Sequence, residues 1–156
     1  MILLFAFALG ISAGLRSMTP AAVVAWAAQL GWPDLRQTGL AFMAAPITAW
    51  VLTLCAAGEL VFDKLPSTPS RLGAGPLGAR ILVGALCPAV ACAATHHSIA
   101  VGAIAGAVGA VAGAYAGYHA RRHLTMNLKA SPLHVAIAED CLAIGLAAFA
   151  VSRFLY

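Results

Sequence analysis

Five stretches of the chain are apolar for long enough to enter a bilayer: residues 2–30, 39–62, 79–94, 99–118 and 133–154. An α-helix needs roughly 20 apolar residues to cross the hydrocarbon core, and these stretches reach or approach that length. None alternates apolar and polar residues for long, as strands of a membrane barrel would. The pattern predicts an all-α fold: a polytopic transmembrane helix bundle of about five spans, in a single domain over residues 1–156. Trp26 and Trp32 mark the end of the first stretch, as interfacial residues do, and residues 31–36 read as a turn. Residues 66–78, rich in Pro, Ser and Gly, form the longest connection and read as an ordered turn. Pro88 predicts a kink in the third stretch, and His96-His97 a tight turn after it.

The first stretch is interrupted by Gly14-Leu15-Arg16-Ser17-Met18-Thr19-Pro20. A bare guanidinium at bilayer depth costs at least about 2.5 kcal/mol, so such an arginine faces protein or water and has a partner. Pro20 removes a backbone donor and crowds the preceding turn, which predicts that the first helix is broken at 16–20. Broken helices with polar groups at the break recur in transporter sites. A plainer reading has Arg16 snorkelling from the end of a short span.

Composition confirms the class and orients it. Charged residues are 9% and hydrophobic residues 62% of the chain, against about a quarter charged in soluble domains. The net charge of +4 is too small and dispersed for a nucleic-acid footprint, so no nucleic-acid partner is expected. It serves instead as topology information. Lys64, Arg71, Arg80, Arg121, Arg122 and Lys129 flank the second and fourth connections, against Arg36 and Arg153 on the other side. The positive-inside rule then puts the N-terminus inside and the C-terminus outside a bacterial cytoplasmic membrane. A four-span alternative has residues 21–30 lying along the interface or re-entering. The N-terminus lacks the basic region of a signal peptide, so residues 1–30 are read as retained. Cys55, Cys87, Cys92 and Cys141 lie in apolar stretches without zinc spacing and read as buried small hydrophobes.

Candidate chemistry is confined to a few residues. Glu59 and Asp63, four apart, share a helix face at the inner end of the second stretch. Glu139 and Asp140 enter the fifth stretch near the same side, and Arg121 ends the fourth there. The expected polar pathway is therefore Arg16, Ser17, Thr19, Glu59, Asp63, Glu139, Asp140 and Arg121. Arg16 is expected to pair with Glu59, Glu139 or Asp140, or to line a wet cavity with Ser17 and Thr19. Asp63 and Arg121 also suit the headgroup region without further role. Gly102, Gly106, Gly109, Gly113 and Gly117 fall on one face of the fourth stretch and predict a close helix contact, within a subunit or between two. His119 and His123, at i and i+4, could chelate a metal, but no acid motif accompanies them. No metal site and no cofactor is expected. The lipid bilayer is the expected partner, with anionic lipid contact at the inner basic loops.

The combination of Gly14-Leu15-Arg16-Ser17-Met18-Thr19-Pro20, Gly58-Glu59, Asp63-Lys64-Leu65-Pro66, Pro69-Ser70-Arg71 and Glu139-Asp140 resembles a family of small bacterial integral membrane proteins. That family is known only as a domain of unknown function (four-one-two-six). The resemblance implies a multi-helix membrane protein over nearly the whole chain and supplies no activity. Three functions fit the residues. The first is a transporter or channel, acting as a homo-oligomer because five short spans enclose little volume. The second is a structural or assembly subunit whose charges fix packing. The third, the weakest because no catalytic spacing is present, is a membrane enzyme acting on lipid head groups.

Overall fold

The computed structural model describes residues 1–31, 35, 38–63 and 72–154. Among them are the helices α1 (Ile2–Leu15), α2 (Met18–Gln29), α3 (Pro46–Phe62), α4 (Ala74–Ala94), α5 (Ile99–Met126) and α6 (Pro132–Arg153). A 3-10 turn, Ala41–Ala44, precedes α3, and no strand occurs among the described residues. The all-α expectation holds. α4, α5 and α6 are each long and apolar enough to cross a membrane, whereas α1 and α3 are shorter apolar helices. The protein is an integral membrane helix bundle.

Proline sets several of the helix starts. Pro46 and Pro132 occupy the first positions of α3 and α6, where the missing N–H has no intrahelical acceptor and the ring fixes φ for the helix. Pro20 works the same way in the first turn of α2. Were α1 to run on through it, its ring would collide with the carbonyl of Arg16, four residues back. The chain gives way at that residue: Arg16 is extended, with φ −142 and ψ 112. Pro88, in contrast, sits inside α4, which runs unbroken from Ala74 to Ala94. α4 also begins before the expected boundary and α5 continues to Met126, past its last apolar turn.

The break turns the chain back instead of kinking it. Ser12 of α1 bonds to Ala143 of α6, and Phe5 packs edge-on against Phe149 and Phe154, so α1 and α6 are antiparallel. α2 is antiparallel to α3, with Ser17 at Glu59 and Trp26 at Thr53. Leu9 of α1, Val24 and Ala25 of α2, Cys87 and Val90 of α4, and Ala147 and Ala150 of α6 belong to one buried apolar cluster. α2 therefore lies back alongside the bundle, and α1 and α2 form a hairpin with Arg16 and Ser17 at its tip. The first stretch is thus a hairpin and not a kinked span. It changes the expected position of the termini: Phe5 and Phe154 meet with ring centroids 6.5 Å apart, so both chain ends share one end of the bundle. The charge count that separated them treated residues 2–30 as one crossing.

The second structural principle is close packing through glycine. Gly102, Gly106, Gly109, Gly113 and Gly117 are all buried on α5. A Cβ on Gly109 would strike the Phe7 carbonyl and one on Gly113 the Ile11 carbonyl, while Gly102 and Gly106 lie against α4. α1 answers with its own pair, Gly10 and Gly14, whose Cβ atoms would overlap backbone at Gly106 and Ala110. Pro88 leaves the Gly84 carbonyl without its helical donor, and that carbonyl faces Gly106. The three helices α1, α4 and α5 thus touch backbone to backbone within one chain. Of the cysteines, Cys87 and Cys92 are buried as expected, whereas Cys55 and Cys141 are exposed on the outer faces of their helices.

Candidate functional site

The hairpin tip gathers charges from three helices. Arg16 has 0% side-chain exposure, and it is held by two acids from different elements. Its Nε donates to Asp140 Oδ1 at 2.7 Å, and Nη2 lies 2.6 Å from the same oxygen. Nη1 donates to Asp63 Oδ2. One planar guanidinium fork therefore ties α6 to the residue that ends α3, the two-sided geometry a lysine cannot reproduce.

Glu59, one turn before Asp63, does something different. Ser17 lacks a side-chain cap bond to its own helix, so the first amides of α2 need an external acceptor. Glu59 supplies it. Its Oε1 accepts from the Ser17 amide at 2.8 Å and the Ser17 hydroxyl at 2.7 Å, and its Oε2 accepts from the Met18 amide at 2.8 Å. The carboxylate sits on the positive end of the helix dipole, where negative charge is favoured. Arg80 of α4 approaches the same carboxylate at 3.7 Å and is itself buried. Arg16, Ser17, Glu59, Asp63 and Asp140 thus meet at one place, and Arg80 joins them.

Three of the expected residues lie to one side. Glu139 and Asp140 are neighbours on α6, so their side chains diverge by about 100° around the helix. Asp140 turns to Arg16, whereas Glu139 lines a cleft of about 190 Å³ with Arg121, Gly117 and Leu15, between α5 and α6. Thr19 is buried and lines a separate cleft with Trp26, Thr53 and Leu60 between α2 and α3. Among the described residues, no hydrogen bond joins it to Arg16.

Of the partners named for Arg16 from sequence, Asp140 is one and Glu59 is displaced to the helix terminus. Asp63 replaces it. The reason is the reversal: it puts Arg16 level with the end of α3, so an aspartate that reads as a headgroup charge reaches a residue that reads as mid-membrane in the sequence. The roles of Ser12, Gly10 and Gly84, and the tip and seam contacts of Arg80 and Gly14, are not evident from the sequence. The Gly10–Gly14 spacing is itself a small-xxx-small signal, and Arg80 reads in the sequence as a topology charge and a contact for anionic lipid heads. Lys64 and Arg71 lie outside the described residues.

These features define a class: a helical integral membrane protein whose short N-terminal hairpin ends in a buried arginine–carboxylate cluster. The chain belongs to the family described as Domain of unknown function (DUF4126), whose model matches residues 3–153. No curated protein and no solved structure matches it.

Proposed function

We propose that the protein is a small membrane transporter in which the cluster at Arg16 is the working polar site. The observation carrying this reading is that Arg16, at the reversal between two half-length helices, is bound at once by Asp63 of the α3 end and Asp140 of α6. Charged groups at such a position are costly in a bilayer and function is their default explanation. The packing distinguishes a fixed body from one held to it less closely. α1, α4 and α5 are locked through glycine, whereas α3 packs chiefly against α2. Arg16 stands at the hinge between these bodies, and the ion pairs hold them closed. Opening would expose the α2 N-terminus and the guanidinium to a solute, in the manner of discontinuous-helix sites. The working unit is a homo-oligomer, because one copy of this bundle encloses little space for a path.

The membrane is the bacterial cytoplasmic membrane, with the Arg16 end inside and both termini outside. Arg80, Arg121, Arg122 and Lys129 cluster toward the Arg16 end and Arg153 toward the other, which the positive-inside rule reads in this direction. Labelling of cysteines introduced after Met1 and at Ser152 from the outer face alone supports it. Labelling of the two from opposite faces overturns it.

Flux into liposomes by purified protein, against a panel of ions and metabolites, tests transport. The wild type should move at least one solute. The variant Arg16→Ala/Asp63→Asn/Asp140→Asn should fold and move none. A second reading, a structural subunit, is favoured by one observation: Arg16 is fully buried and paired. On that reading the triple variant regains the wild-type role, and no panel member crosses with the wild type.

A further inference from the structure

The last third of α5 overshoots the bilayer and presents a set of donors that the transport site does not use. α5 has 28 residues, about 42 Å of helix, against a hydrocarbon core of about 30 Å. The overshoot carries His119, Arg122, His123 and Asn127, all exposed and lining one shallow concavity with Met126. Their spacing puts them on one helix face, opposite the Arg121 face that borders α6. α5 carries no acidic residue, so nothing along the helix itself neutralises this face.

Two of the side chains are oriented in advance. The Asn127 amide nitrogen lies 2.9 Å from His123 Nδ1. This contact, one helical turn apart, fixes the His123 ring through one of its two nitrogens. His119 is held edge-on to the Tyr118 ring at 5.4 Å. Arg122 lies between them with a fork that matches phosphate oxygens.

We propose that His119, Arg122 and His123 form a cradle for the phosphate of an anionic phospholipid, in the leaflet on the Arg16 side of the bundle. The exposed apolar residues deeper on α5, Val111 and Tyr115, lie alongside its acyl chains. The lipid is the source of the phosphate because the cradle stands at headgroup depth on a face otherwise turned to the bilayer. This proposal needs only the membrane embedding and is independent of transport.

The test is lipid retention, measured by native mass spectrometry of the full-length protein released from nanodiscs of phosphatidylglycerol or phosphatidylcholine. The wild type should retain phosphatidylglycerol in preference. A cation at the surface contributes on the order of a fivefold effect, so Arg122→Gln should lower that preference about fivefold. Arg122→Lys should recover part of it. The pair His119→Gln/His123→Gln should also lower it, and Asn127→Ala should lower it less, by releasing the His123 ring. Lys129→Gln, a basic residue at the same end but off this face, should leave retention within about twofold. Equal losses from Lys129→Gln and Arg122→Gln would reduce the cradle to diffuse basic charge and overturn the proposal. Equal retention of both lipids by the wild type, or displacement of the lipid by millimolar inorganic phosphate, would also overturn it.

Discussion

The glycine seam and the hairpin tip are two ways of holding helices together in a medium that gives no hydrophobic drive. Along the seam, α5 meets α1 and α4 through Gly102, Gly106, Gly109 and Gly113, where any side chain would strike backbone or a neighbouring side chain. At the tip, α3 and α6 are joined by one guanidinium, and α2 is begun by a carboxylate from another helix. The seam has no alternative arrangement: its contacts are many, weak and shape-limited. The tip has few contacts, each strong and each separable. A molecule built with both has a fixed part and a part whose closure depends on charge.

Removing one charge should therefore have the largest effect. Arg16→Ala leaves Asp63 and Asp140 facing each other without their shared cation, and truncating one member of a buried ionic group costs about 3–5 kcal/mol. Unfolding in detergent should show a loss of that size. Adding Asp63→Asn and Asp140→Asn should return much of it, because the repulsion between the two acids then vanishes. A wild-type unfolding midpoint for Arg16→Ala would show that the tip contributes nothing to closure.

The seam should respond next. Gly109→Leu puts a branched side chain into the Phe7 carbonyl, and overpacking a filled site costs about 1–3 kcal/mol, or more where backbone must move. Gly145→Leu is the control, since nothing lies within 4 Å of a Cβ there. The contrast sharpens with a pair: no second neutralising substitution on α1 should rescue Gly109→Leu, whereas the tip defect is rescued by charge removal. Equal detergent stability for Gly109→Leu and Gly145→Leu would break the distinction.

The two regions also differ in how far the sequence reveals them. The α5 glycines announce themselves by spacing, because a helix face is a local property. What the spacing omits is the partner surface, and Gly10 and Gly14 show that it sits on α1. At the tip, Arg16 and Pro20 are legible as a break, since a charge and a proline in an apolar run have local consequences. The reversal is not local. It depends on α2 finding α3 and α6 once α1 is packed, and no residue between Leu15 and Met18 encodes the direction. The same gap explains Asp63 and Arg80: each reads as a headgroup charge until the tip is known to reach its depth. That Phe5 and Phe154 meet at one end of the bundle follows from the reversal.

Within the tip, the helix-terminal carboxylate should matter less than the arginine. Glu59→Gln keeps one carbonyl acceptor for α2 and loses both the second acceptor and the charge on the helix dipole. Loss of a cap typically costs about 1 kcal/mol, within a range of about 0.5–2. Hydrogen exchange should localise the effect to the amides of Ser17 and Met18. Exchange that speeds equally along α5 would mean that tip and seam form one cooperative unit.

The smallest effect tests whether α2 and α3 move as a pair. Trp26 Nε1 donates to Thr53 Oγ1 at 2.8 Å, and Thr53 in turn donates to the Ala49 carbonyl. Trp26 and Trp50 pack edge to face with centroids 5.3 Å apart. Thr53→Val keeps the shape and removes the acceptor, leaving the half-buried indole N–H unpaired. A net hydrogen bond is worth about 0.5–1.5 kcal/mol, so overall stability should fall by no more than that. Its signature should be positional: faster amide exchange in α2 and α3, with α1, α4 and α5 unchanged. If the glycine-locked helices loosen as well, α2 and α3 are not a separable body, and the hinge assigned to Arg16 has nothing to move against it.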